Sequence, residues 1–330
     1  MDVKLIFRKK VPEYYSMENV FTIILQSLRK RISATIIHAG SNKATPAAIL
    51  KNILSFRKAR ADVFHVTGDI HYAVFAFPAH KVMLTIHDCV FLQNTNGIKK
   101  FVMLWFWHKL PVRYARIITT ISEATKKDII RITGCDESKI RVIGNPADPA
   151  YIYYPGSFNQ QKPVILQIGT WPNKNLERVI KALDRINCHL SIIGKLTEEQ
   201  KRLLTLSGIE FSNHIFLSKE ELIRQYIECD LVLFVSTFEG FGLPVIEAQS
   251  IGRPLITSNI SPLNEVAYRG AHLVDPFDVN AIREGVKKVI SDVKYREQLI
   301  KEGMENVERY QPAHIASQYL ELYEKISEGS

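Results

Sequence analysis

Residues 237–254 read TFEGFGLPVIEAQSIGRP and set two glutamates, Glu239 and Glu247, on either side of a glycine-rich turn. Just upstream, CDLVLFVST (229–237) is a short apolar run rich in Val, Leu and Phe, as expected of a strand buried in a parallel sheet. Gly240 and Gly242 let the backbone turn tightly and expose its amides. Pro244 suits the first helical position, where a missing N–H costs nothing, so 244–252 reads as a helix ending at Gly252. A strand, a glycine turn and a helix in that order aim unpaired N–H groups and the positive helix end at whatever lies above the sheet, which suits a phosphate. Glu239 at the strand's carboxyl end and Glu247 in the first helical turns can face one crevice. Ionised carboxylates only accept hydrogen bonds, and hydroxyl groups are their natural neutral partners. Phosphate beside two hydroxyl-binding carboxylates describes a nucleotide sugar, with one glutamate for the sugar and the other for the ribose. Two solvated surface acids would show the same spacing; the strand and turn around this pair set it apart.

The chain has 330 residues, of which 46% are hydrophobic, enough for about two domains with a core each. Short apolar runs alternate with longer amphipathic stretches, the pattern of parallel sheets flanked by helices. One set of expected strands is VKLIF (3–7), SATIIHA (33–39), DVFHVT (62–67), VMLTIHD (82–88), RIITTIS (116–122) and IRVIGN (140–145). A second set is PVILQIG (163–169), HLSIIGK (189–195), HIFLS (214–218), LVLFVS (231–236), PLITS (254–258) and AHLVDP (271–276). Between them, the proline-rich stretch 146–163 has no helical period and reads as a linker. The expected architecture is α/β: two doubly wound, Rossmann-like parallel-sheet domains, 1–155 and 156–330, facing across a cleft.

Cys89, Cys135, Cys188 and Cys229 are scattered with no C-x-x-C or histidine pairing, which argues against a zinc site and for a reducing compartment. The amino-terminal apolar run is too short for a signal peptide, and no 18-residue apolar run would span a membrane. A soluble, cytoplasmic protein is expected. Residues 1–155 hold 23 Lys and Arg against 11 Asp and Glu, whereas 156–330 hold 20 against 23. The basic half should meet something acidic. Nucleic acid is disfavoured because no zinc finger, RNP-like or helix-turn-helix signature is present. An anionic membrane surface fits better: 98–116, IKKFVMLWFWHKLPVRYAR, places Phe101, Trp105, Phe106 and Trp107 among Lys99, Lys100, Lys109, Arg113 and Arg116. A core helix with basic ends would carry the same residues.

Five further landmarks stand in order: VMLTIHDCVFL (82–92), the 118–148 stretch opening ITTISEATKKD, VILQIGTWPNKNLERVIKAL (164–183), the 229–258 stretch around the two glutamates, and LNEVAYRGAHLVDPFD (263–278). In this order and spacing the sequence resembles glycosyltransferases of the GT-B fold, in the retaining class called group 1 or family 4. The resemblance covers most of the chain. It implies that the first domain holds the acceptor and the second the donor, with the last helix packing back on the first.

For single residues the resemblance implies the following. Glu239 would border the sugar hydroxyls and Glu247 the ribose, with the backbone of Phe241, Gly242 and Leu243 against the diphosphate or sugar. The loop Gly169, Thr170, Trp171, Pro172, Asn173 and Lys174 would supply Lys174 to the diphosphate. Asn173 stands where close relatives often carry arginine, and Lys195 in IIGKL is a candidate replacement. His87 would lie near the transferred sugar, with Asp88 orienting its turn, while Ser122 and Glu123 read equally well as a helix cap and first-turn acid. No D-x-D motif is present and relatives generally use no divalent metal, so no metal or other cofactor is expected. The chain departs from its relatives in having no glycine before Gly40; Tyr14, Tyr15 and Glu18 can offer an acceptor surface or pack as a helix start. The implied reaction is transfer of a hexose from a nucleotide sugar to a hydroxyl of a saccharide or lipid-linked acceptor, with retention. A nucleotide-sugar epimerase and a catalytically silent partner subunit are the other readings.

Overall fold

Twelve short strands form two parallel sheets, and the order of strands in each fixes where a ligand can sit. A computed structural model describes residues 1–10, 16–89, 97, 101 and 103–329. The chain divides into unit 1, residues 1–146 with 311–330, and unit 2, residues 147–310. Unit 1 contains β1 (Asp2–Phe7), β2 (Ser33–His38), β3 (Val63–Val66), β4 (Val82–Ile86), β5 (Ile117–Thr120) and β6 (Ile140–Val142), in the order β2-β1-β3-β4-β5-β6. Unit 2 contains β7 (Val164–Ile168), β8 (His189–Ile193), β9 (Glu210–His214), β10 (Leu231–Phe234), β11 (Leu255–Ser258) and β12 (His272–Val274), in the order β12-β11-β10-β7-β8-β9. Both are doubly wound α/β sheets of the GT-B kind. The winding reverses between β1 and β3 in unit 1 and between β7 and β10 in unit 2, and ligands in such sheets bind at the carboxyl ends beside that reversal.

Residues buried on both faces build the strands. In unit 2, Ile165, Leu190, Leu231, Leu233 and Ile256 pack against Val179, Leu183, Val286 and Val289 of the covering helices. In unit 1, Ile6, Val66, Leu84 and Ile118 pack with Phe56, Phe64 and Phe77, the last two rings stacked 4.0 Å apart. Strand β9 is a correction to the sequence reading, which placed it at HIFLS. The paired residues are Glu210–His214, and only His214 is shared. An edge strand has little to bury, so β9 carries no apolar run; Ile215 and Phe216 beyond it are exposed, Phe216 with φ at +56°.

The division between the units falls at Pro146/Ala147, inside the proline-rich stretch, and the closing helix Pro312–Glu328 belongs with unit 1. That helix packs on Ser16–Leu28 and buries Ile315, Tyr319, Leu320, Tyr323 and Ile326. A polar chain anchors it: Tyr323 Oη lies 2.8 Å from His65 Nδ1, His65 Nε2 lies 2.6 Å from Thr85 Oγ1, and Thr85 Oγ1 lies 2.6 Å from Thr119 Oγ1. Burial, with the nearby His87, pushes the His65 pKa down to about 3, so its ring is neutral and offers one donor and one acceptor. Tyr323→Phe leaves a fully buried ring nitrogen unpaired and should cost about 1–3 kcal/mol, measured by urea unfolding. An unchanged midpoint would mean that the bond contributes nothing.

Candidate active site

The loop after β7 depends on its first residue. Gly169 has φ at +87°, and a Cβ there would stand 2.7 Å from Lys174 Cγ, so only glycine lets the lysine stem lie across the turn. Gln167, buried in β7, donates to the carbonyls of Gly169 (3.2 Å) and Lys174 (2.9 Å) and closes the loop from below. Asn175, also buried and with φ at +64°, donates to Val235 O (3.0 Å) and Pro276 O (2.6 Å). Asn173 ties the same loop to the one after β10: its Nδ2 donates to Phe238 O at 3.0 Å, and Thr237 N donates to Asn173 O at 2.8 Å. Thr170 Oγ1 donates to Lys195 O at 2.7 Å, while the Lys195 side chain is exposed.

These ties bring Lys174 Nζ to 2.5 Å from Glu239 Oε1, with the two side chains 20% and 14% exposed. The ammonium also lies 4.9 Å above the centre of the Phe234 ring. Gly242 then opens the helix Leu243–Ile251 with φ at +105°, and a Cβ there would stand 2.4 Å from Leu263 Cδ2. Phe241 buries its ring edge-on to Tyr310, at 5.7 Å, which leaves only its backbone for a ligand. The first amides of the helix have no partners within it and carry its positive end.

Glu247 lies one turn further on and is half-buried. Tyr226, on the helix Lys219–Glu228, donates its hydroxyl to Glu247 Oε2 at 2.5 Å, and the Tyr151 ring meets the Tyr226 ring edge-on at 5.6 Å. Burial first, then the neighbouring Asp148, push the Glu247 pKa up to about 7, against the two tyrosines and Lys219, which favour the ionised form. Neither tyrosine stands out in the sequence: each is separated from Glu247 along the chain and follows no period.

In unit 1, His87 follows β4 and is buried, with Nε2 donating to Thr67 O at 2.9 Å and the Phe21 ring edge-on at 5.9 Å. Burial holds its pKa below the usual range, so Nδ1 is left as an acceptor. Beside it, at the reversal between β1 and β3, Arg8 Nε and Nη2 reach Glu18 at 2.8 and 3.2 Å, and Nη1 reaches Asp69 at 3.2 Å. Glu18 is therefore an arginine partner, and Arg8 is the first residue after β1. Sequence reading missed Arg8 and Asp69; the terminal position of each after a strand was the available signal. Ser122 caps the helix Glu123–Thr133 by accepting from Thr125 N at 3.2 Å. Asp88 is exposed. Tyr14, Tyr15, Lys99 and Lys100 lie outside the described residues.

Of the aromatic residues in 98–116, Phe101 (61%), Phe106 (54%) and Trp105 (39%) are exposed, and Lys109 lies 4.9 Å over the Trp105 ring. Trp107 instead packs on the core and donates to Asp69 O at 2.6 Å. Arg116 donates to the carbonyls of His80, Ile326 and Gly329. Among the described residues no helix is long and apolar enough to cross a membrane, and no three His, Cys, Asp or Glu side chains group as metal ligands.

A family model described as "Glycosyl transferases group 1" matches residues 155–306, and one described as "Glycosyltransferase Family 4" matches 8–151. Serotype-specific mannosyltransferase WbdA of Escherichia coli is 24% identical over 310 residues, 81% of this chain and 38% of that protein. O-antigen chain mannosyltransferase RfbU of Salmonella typhimurium is 26% identical, over 62% of this chain and 60% of its own length. The chain thus spans less than two thirds of both. Capsular polysaccharide biosynthesis glycosyltransferase CapM of Staphylococcus aureus is 27% identical over 72% of this chain and 70% of its own. Among solved structures, Anabaena Alr3699/HepE in complex with UDP and glucose aligns with TM-score 0.78 at 16% identity, over 98% of this chain and 99% of that one. The lipopolysaccharide outer core galactosyltransferase WaaB aligns with TM-score 0.73 at 19% identity, over 96% and 98%.

The raised carboxyl fixes a sign. Folding binds the Glu247 proton more tightly than the unfolded chain does, so its contribution is present in full below about 4.5 and lost as pH rises through about 7. Glu247→Gln cannot ionise. Its urea midpoint relative to the parent should therefore rise from pH 5 to pH 8; a gap that does not change with pH would contradict the burial of this charge.

Proposed function

The chain belongs to the group 1 glycosyl transferases of the GT-B fold, and from that membership we propose that it transfers a hexose from a nucleoside diphosphate sugar to a hydroxyl of a saccharide or lipid-linked acceptor, with retention, in polysaccharide biosynthesis. The observation that carries this reading is the Lys174–Glu239 pair at 2.5 Å, set on the two loops at the reversal of the unit 2 sheet. A donor brings each member its own partner. The diphosphate takes the ammonium and the sugar hydroxyls take the carboxylate, while Glu247 takes the ribose and the amides from Phe241 to Leu243 face the phosphates. His87 is assigned to the transferred sugar, and Gly169, Thr170 and Asn173 shape the loop. The names of WbdA, RfbU and CapM favour a surface glycan as product, mannose being the sugar named in the first two.

In the step itself the bond from the anomeric carbon to the β-phosphate oxygen breaks, and the acceptor oxygen bonds that carbon from the same face. The acceptor proton passes to the departing phosphate, so no enzyme nucleophile is used. Lys174 and the turn amides hold the charge that grows on the leaving diphosphate, and no resident cofactor takes part. Lys174 therefore acts more in the transition state than in the ground state.

The protein is further proposed to work at the cytoplasmic face of an anionic membrane, docking through the stretch Lys99 to Arg116. Exposed Phe101, Trp105 and Phe106 beside Lys109 and Arg113 support this, as does the basic excess of residues 1–155. Each Lys or Arg near such a surface contributes about 1 kcal/mol, screened by salt.

Acceptor-dependent release of nucleoside diphosphate from UDP-, GDP- or ADP-sugars is the expected activity; no release from any donor with lipid-linked or free saccharide acceptors would overturn the proposal. Lys174→Ala should lower kcat by about a hundredfold and move KM far less. A normal kcat would shift that role to Lys195 or the amides. With phosphatidylglycerol liposomes the protein should co-sediment at low salt and separate at high salt, and Trp105→Ala should weaken binding without unfolding. Absence of binding at low salt would remove the membrane assignment and leave the transfer reaction standing.

A further inference from the structure

The helix Leu243–Ile251 opens at Gly242 and ends at Gly252, and Gly252 lines a second concavity of unit 2. Its volume is about 300 Å³, at the lower end of the range for small-molecule sites. Cys229 and Asp230, which lead into β10, line it together with Arg253 and Pro254, which lead into β11. The cavity therefore lies at the amino ends of these strands, whereas Lys174 and Glu239 meet beyond the carboxyl ends of β7 and β10.

Two arginines line this cavity, each only 6% exposed. Arg253 commits its guanidinium to the chain: Nε donates to Tyr226 O at 3.1 Å, Nη1 to Tyr154 O at 2.9 Å and Nη2 to Ile227 O at 2.7 Å. Arg296, on the helix Val293–Val307, is committed on one side alone. Its Nη1 donates to Val289 O and Ile290 O, at 2.8 and 3.0 Å, the last carbonyls of the helix Val279–Ser291. Its Nε and Nη2 have no partner among the described residues, yet neither atom is sealed from accessible space. The guanidinium carbon stands 3.8 Å over the centre of the Phe158 ring, which holds the group in place. The acids around it, Glu297, Asp230 and Asp292, form no ion pair with it. Asp230 instead accepts from Asn159 N and Val164 N, both at 2.8 Å, and Asp292 Oδ1 accepts from Tyr295 N at 3.0 Å.

Nε and Nη2 form the edge with which a guanidinium grips two oxygens at once. Arg8 holds Glu18 by the same two atoms, at 2.8 and 3.2 Å. In Arg296 that edge is taken out of bulk water and given nothing in return, and an unmatched buried donor is costly. We propose that this cavity is a binding site for a small oxyanion, a carboxylate or a phosphate ester, gripped by the open edge of Arg296. Arg253 adds a second positive charge in the wall, and Tyr154, Phe158, Ile227 and Ile300 offer apolar surface to the body of the ligand. Arg296 then joins two things: one side of its guanidinium holds the end of a helix, and the other holds the anion. The site stands apart from the donor reading and does not depend on it.

Glucuronate and glucose 6-phosphate present the two anions on one sugar, with glucose as the neutral control. In the full chain labelled with nitrogen-15, the Arg296 Nε–H signal, assigned by its loss in Arg296→Lys, should move with an anion and stay still with glucose. Movement with one anion alone supports the site and says which group it takes. A signal unmoved by both anions, or moved equally by glucose, overturns the proposal. Arg296→Lys keeps the charge but loses the two-oxygen edge, so calorimetry should show anion binding weakened about tenfold or more. Because Arg296 also holds a helix end, its urea midpoint is measured alongside, and a second variant leaves the guanidinium untouched. Ile300→Trp fills the cavity and should abolish the Nε response to both anions. Parental affinity in Arg296→Lys, or a parental Nε response in Ile300→Trp, would place the anion elsewhere and overturn the assignment.

Discussion

Lys174 and Glu239 are 65 residues apart in the chain and 2.5 Å apart in space, and the whole of unit 2 is arranged so that this is possible. β7 and β10 are neighbours only because the winding of the sheet reverses between them. The loops that follow the two strands bond each other there. The meeting is enforced from beneath by the buried Gln167 and Asn175, which spend their amides on loop carbonyls, and beside them the half-buried Asn173 spends its own on Phe238. A site for a charged ligand must be polar and yet fixed, and here the fixing is done by neutral amides so that the charges stay available.

The parts visible in the sequence are those that depend on neighbours along the chain. Both strands that frame the site, the glycine turn at Gly242 and the helix ending at Gly252 follow from apolar runs, proline and glycine within one stretch of residues. β9 was misplaced for the same reason, since an exposed edge strand has no apolar run to find and the apolar residues after it drew the assignment. Lys174 needed the family resemblance, because a lysine in a loop carries no signal of its own.

Contacts between distant side chains were not legible. Tyr226 and Tyr151 look like ordinary aromatic residues, yet Tyr226 donates to the Glu247 carboxyl and Tyr151 packs edge-on against its ring. Arg8 stands in the sequence as one of three consecutive basic residues, and only the fold brings Glu18 and Asp69 to its guanidinium. The stretch after Phe101 reads in the sequence as core or interface alike, and its side chains divide in a way no period announces: Trp107 turns inward while Trp105 and Phe106 face solvent.

The closing helix Pro312–Glu328 carries a consequence for the order in which the molecule is made. Unit 2 has its last strand by Val274 and its last helical turn by Tyr310, whereas unit 1, whose strands are synthesised first, lacks the cover for Phe21 and the partner for His65 until Tyr323 has left the ribosome. Domains usually fold in the order of synthesis. Here the half made first must wait for the half made second, and its exposed sheet is the state that a growing chain has to protect.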